Sequence, residues 1–108
     1  MRKVKVGWKE YTIEEVNSQS INEGDGEYKG RALHGPQIIR LNKDYPKDAK
    51  DETLIHEIVH CIDVYAGLDL SEEQITGLSN MLFQVSKDND LMEIFKGTIW
   101  QEAKDGMD

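Results

Sequence analysis

The chain reads as an α+β domain, a small N-terminal sheet followed by helices, and three features carry that reading. Up to about residue 42, short runs alternate apolar with polar side chains, the two-residue period of half-buried strands. From Pro46 onward the apolar positions recur with helical spacing. The whole chain is 108 residues, enough for one domain with a modest core and too short for a second.

The elements follow in order. Residues 3–8, Lys-Val-Lys-Val-Gly-Trp, are apolar at every second position, and residues 11–16 continue in the same style, so the two runs predict a hairpin. Residues 17–27 are rich in Ser, Asn, Gly and acidic side chains and predict an exposed loop. Residues 28–33 and 37–41 are short strand candidates on either side of His34-Gly35-Pro36, a turn-like tripeptide. Together these runs predict a small antiparallel sheet over residues 3–42.

The helices span about residues 47–100. Asp48, Asp51 and Glu52 put negative charge at the start of the first, where the helix dipole favours it. Leu54, Ile55, Ile58, Val59, Ile62 and Tyr65 then form its apolar stripe, and Gly67 fits the C-terminal cap. Ser71-Glu72-Glu73-Gln74 has the pattern of a capping box that opens a second helix. Ile75, Leu78, Leu82 and Val85 are expected on its buried side. Asp88-Asn89-Asp90 breaks that helix. Leu91, Met92, Ile94, Phe95, Ile99 and Trp100 predict a short third helix packed back on the core, with residues 101–108 as a frayed tail. Trp8, Tyr65, Phe95 and Trp100 are read as core aromatics.

The formal net charge is −8. Such a surface repels phosphate backbones and anionic lipid, which argues against direct nucleic-acid or membrane partners. No apolar run approaches the roughly 20 residues needed to span a bilayer. Cys61 is the one cysteine, so no intrachain disulfide can form. With no apolar signal-like run at residues 1–7, these absences lead to an expectation of a cytoplasmic protein.

The segment that carries chemistry is His56-Glu57-Ile58-Val59-His60. On a wheel of about 100° per residue, the apolar stripe of the first helix falls within about 100° of Ile58. His56 and His60 fall on the other side, about 40° apart on the same wheel. Imidazoles one turn apart can approach a single ion, which is why the i, i+4 interval matters. Glu57, one helical step away, lies beside such an ion and can take a proton from water as general base. Two histidines and a carboxylate with an open position suit catalytic Zn2+. The bland alternative is an exposed helical face that carries these residues by chance, but two of the chain's three histidines fall in the motif.

A third ligand must come from elsewhere, and Glu72 and Glu73 are the candidates. Glu72 lies about 60° from Ile75 on its wheel and Glu73 about 160° away, which favours Glu72. A simple antiparallel helix pair would place Thr76 or Gly77 nearer the level of His60, so the choice between the two glutamates stays open. Asp63 shares the face of the histidines and is read either as a hydrogen-bond acceptor that orients one of them or as solvated. His34 is read as an exposed turn residue, with a substrate contact as the alternative. Cys61 points to the apolar side and is read as core, not nucleophile.

With those residues placed, the chain resembles the ImmA/IrrE-type metallopeptidases, in the short versions carried by bacteriophages and integrated elements. The resemblance rests on the HExxH helix, the glutamate pair about a dozen residues later, the preceding small sheet and the following Lys87-Asp88-Asn89 turn. It implies a zincin-like fold, a two-histidine, one-glutamate zinc site, and cleavage of a repressor or other regulatory protein. His56 and His60 become zinc ligands and Glu57 the catalytic glutamate. Longer members carry a fuller helical domain and an Ala-Asn pair after the ligand glutamate. Here the nearest match is Ser79-Asn80, with Thr76 three residues before it. The expectation is a zinc metallopeptidase acting on a protein or peptide. A zinc-binding interaction module without catalysis is the alternative.

Overall fold

The computed structural model describes residues 2–21 and 28–96. It is an α+β fold. Strands β1 (Arg2–Val6) and β2 (Lys9–Val16) form the expected hairpin, with Val6 opposite Lys9. Gly7 takes φ 63° at the first position of the two-residue turn, a conformation that glycine adopts without steric cost. A short helix, α1 (Ser18–Ile21), follows and buries Ile21. It stands where an exposed loop was predicted, because one apolar side chain in a polar run is enough to dock a single turn. Residues 22–27 of that predicted loop lie outside the described residues.

Strands β3 (Gly30–Leu33) and β4 (Ile38–Asn42) pair antiparallel, but the sheet order is β1-β2-β4-β3 and β4 runs parallel to β2. The sheet is therefore mixed and not antiparallel throughout. Alternation within a strand fixes which face is buried; it says nothing about which strand lies next to which. The chain crosses over between β2 and β3, so β4 enters the middle of the sheet and β3 becomes an edge. Buried Asn42 ties this crossover down. Its amide donates to the Tyr28 carbonyl at 3.2 Å, while its side-chain oxygen accepts from the Ser18 hydroxyl and the Asp44 amide.

Helix α2 (Lys47–Ala66) packs across the sheet, and its side chains join Val6, Tyr11, Ile13, Ile39 and Leu41 in the core through Cys61, Leu54 and Ile58. Cys61 is core, as expected. Among the acidic residues expected in its first turn, Asp48 alone lies there, since the helix begins at Lys47. Gly67 caps it in the left-handed conformation, φ 64°.

Helix α3 (Glu72–Asp88) opens with the predicted capping box: the Ser71 hydroxyl accepts from the Gln74 amide, and the Gln74 side chain accepts from the Ser71 amide. It packs on α2, and of its residues Ile75 and Ser79 are buried. Leu78, Leu82 and Val85, expected on the buried side, are 48%, 46% and 36% exposed. The main neighbour of α3 among the described residues is α2, so three of the four stripe residues stay partly exposed. Helix α4 (Leu91–Phe95) is capped by Asp90 and buries no residue, with Met92 and Ile94 exposed. The predicted continuation of this helix through Ile99 and Trp100, and the tail at 101–108, lie outside the described residues.

Two aromatic expectations fail. Trp8 is 75% exposed at the β1–β2 turn, and Tyr65 is exposed at the end of α2. Their rings meet edge to face at 6.5 Å, and a Cβ at Gly7 would clash with the Tyr65 ring. Tyr65 therefore braces the hairpin turn from outside the core. No helix among the described residues is long and apolar enough to cross a membrane.

Candidate metal centre

Helix α2 has two neighbours, and this decides where its polar residues go. Thr53, Glu57 and Cys61, four residues apart, form a buried line. Cys61 joins the sheet core, and Thr53 and Glu57 lie under β3 at Gly30. Val59 is buried as well. His56 and His60 are half-buried, one turn apart, and their rings stack edge to face with centroids 4.9 Å apart.

Glu72 approaches both from the first residue of α3. Its Oε1 lies 3.0 Å from His56 Nε2 and its Oε2 lies 3.2 Å from His60 Nε2. One ligand atom from each of the three residues fits within 4.8 Å of the others. Glu73 is exposed in the same turn and is not part of this group. Of the two glutamates the sequence offered, Glu72 is the one that stands with the histidines. Two things position it. Ser71 fixes the start of α3, and Asp63 shapes the link before it. The Asp63 side chain accepts from the Leu70 amide at 2.9 Å, and its carbonyl accepts from the Gly67 and Leu68 amides. Asp63 is therefore neither solvated nor shown orienting a histidine. It holds the turn that brings α3 back to the histidines.

The group opens into a cleft of about 610 Å³ between α2, α3 and β3. Glu57 lines it while only 8% exposed. Burial raises its carboxyl pKa; His60 opposes that shift and Glu72 adds to it. The glutamate fits beneath β3 because residue 30 is glycine. A Cβ there would fall 2.5 Å from Thr53 Cγ2 and 3.5 Å from Glu57 Cγ.

His34 lines the same cleft from the turn after β3. Its ring is half-buried and its Nδ1 lies 2.9 Å from the Tyr11 hydroxyl. Burial first, then His60 and Lys9, lower its pKa. His34 is therefore not the exposed turn residue the sequence suggested; it lies half-buried at the cleft. Thr76 and Asn80 also line the cleft. They follow Glu72 at four and eight residues, so the wheel that favoured Glu72 also places them on its face. No comparable signal marked Tyr11, whose hydroxyl partner is 23 residues away.

The donor set tests well against a bound cation. Two neutral imidazoles and a carboxylate suit zinc and several other first-row divalent ions, and His56, His60 and Glu72 could hold one. Glu57 stands outside that donor group. Comparison with family models, with curated proteins and with solved structures gave no match, so what this cleft does must be read from its own side chains.

Proposed function

We propose that the chain is a zinc-dependent peptide hydrolase of the ImmA/IrrE kind, with a minimal zincin-like fold. One observation carries the reading: His56, His60 and Glu72 converge on one point, and a separate buried carboxyl, Glu57, lines the same cleft. Zinc held by the three side chains would supply electrophilic activation of water and of a carbonyl.

The chain's own residues account for the rest. Glu57 accepts the proton of the attacking water and returns it to the leaving amide nitrogen. Its raised pKa, caused mainly by burial, narrows the gap to the groups it exchanges protons with. Strand β3 is a sheet edge, and Lys29, Gly30, Arg31 and Ala32 line the cleft. An extended peptide laid along that edge gains backbone hydrogen bonds without a dedicated side-chain pocket. The resemblance to phage-borne members points to a regulatory protein as substrate.

The test uses the purified 108-residue chain. Zinc titration should give one site per chain, and the zinc-loaded protein should cleave fluorescently labelled casein. Glu57→Gln should keep the zinc and lose turnover by ~10²–10⁴-fold. Equal turnover in the two proteins sinks the mechanism. Zinc uptake with no turnover in either favours the interaction module, a reading that the exposed stripe of Leu78, Leu82 and Val85 also suits.

A further inference from the structure

The turn histidine and the tyrosine behind it have no role in the proton transfer above. Tyr11 is 1% exposed in the centre of β2, an expensive place for a phenol unless its hydroxyl proton has an acceptor. Burial pushes its pKa up to about 12, so the proton stays on the oxygen. Its neighbours are His34 Nδ1 at 2.9 Å and Cys61. Burial holds the Cys61 thiol protonated, with a pKa of about 11, and a thiol sulfur is a poor acceptor. The imidazole nitrogen is the better one. A neutral imidazole that accepts at Nδ1 carries its proton on Nε2. That proton is left for the cleft, which His34 shares with His60 and Glu57.

We infer that His34, fixed in its Nε2–H form by the Tyr11 hydroxyl, donates a hydrogen bond to the scissile carbonyl oxygen as it becomes an oxyanion. The inference rests on the peptidase reading. When water adds, the new C–O bond forms and the π pair of the carbonyl moves onto its oxygen. The His34 N–H stabilises that charge and keeps its own proton. As the C–N bond breaks, the pair returns to the carbonyl and the amine takes the proton held by Glu57. His34 is then a catalytic residue and Tyr11 a positioning residue. A preorganised donor of this kind is worth about 10²–10³ in kcat, because it is aimed before the charge appears.

Three measurements test this. Long-range ¹H–¹⁵N correlation of the three histidines in the uniformly labelled chain should show His34 with a bare Nδ1 and a protonated Nε2, with Tyr11→Phe mixing the two tautomers. A proton on Nδ1, donated back to Tyr11, overturns the inference. Inorganic phosphate, a tetrahedral oxyanion, should bind the zinc-loaded His34→Ala protein about tenfold more weakly than wild type, at equal zinc affinity. Equal phosphate affinity overturns it. With labelled casein, His34→Ala should lower kcat by about 10²-fold at unchanged KM, and Tyr11→Phe by less; a change in KM alone overturns it. Failure of the parent reading looks different. There zinc does not bind, or Glu57→Gln is as active as wild type, while the tautomer can still be read.

Discussion

Among the side chains of the cleft, Glu57 and Glu72 differ in what they should lose. Glu72 contacts both histidines, so Glu72→Ala should weaken zinc binding by more than the roughly 10–100-fold that loss of an outer partner costs. Glu73→Ala should leave it unchanged. Competition titration with a metal indicator distinguishes them, and equal losses would dissolve the assignment. His56, Glu57 and His60 were legible in the sequence because one helix turn sets their spacing whatever the helix packs against. Glu72 was legible only as one of a pair. Its position depends on the direction of α3, and that is shaped by Asp63, whose side chain was read as orienting a histidine or as solvated and instead accepts from the Leu70 amide. His34 illustrates the other limit, since a turn residue has no periodicity from which its surroundings could be inferred.

The elements around the cleft differ in how plainly the sequence announced them. Helices α2 and α3 were legible nearly to the residue, since Gly67 and the Ser71–Gln74 box are local signals with local causes. The strands were legible as strands, but the parallel pairing of β2 with β4 is a long-range event with no mark in either run. Two substitutions test how the elements hold the site. Gly30→Ala forces β3 or Thr53 to shift, since its Cβ would fall 2.5 Å from Thr53 Cγ2. Overpacking of this sort costs about 1–3 kcal/mol, and urea denaturation should show it. Asp63→Ala removes the acceptor of the Leu70 amide and should cost about 1–2 kcal/mol with weaker zinc binding as well. A stability loss with zinc affinity intact would mean that the link does not position Glu72. At the sheet edges the two outer strands are unlike. β1 carries Lys3 and Lys5, charges that discourage strand addition, whereas β3 offers Gly30, Arg31 and Ala32.

For the molecule as a whole, acid stability depends on carboxylates that fasten the crossover and the sheet to α2. The Ser18 amide and hydroxyl lower the Asp44 pKa below its ordinary 3.8, and the Lys50 ammonium lowers that of Glu15 below its ordinary 4.5. Both groups bind protons more weakly in the folded chain. Their contribution is therefore present above those ordinary values and fades as pH falls through the lowered folded ones. Thermal melts between pH 7 and pH 2.5 should show wild type losing more stability on acidification than Asp44→Asn or Glu15→Gln; parallel curves would refute the linkage. The strand and helix periodicities made the α+β class legible, but not the part-exposed stripe of α3 among the described residues, because apolar spacing shows which face could be covered and not whether a neighbour is there. The three side chains that could hold a metal come from two helices, His56 and His60 from α2 and Glu72 from α3. A bound divalent ion would then act as a removable cross-link between them, adding about 2.7 kcal/mol at a hundredfold excess over its dissociation constant. A chelator would cut that cross-link, and amide exchange should then quicken in α3 before it does in the sheet.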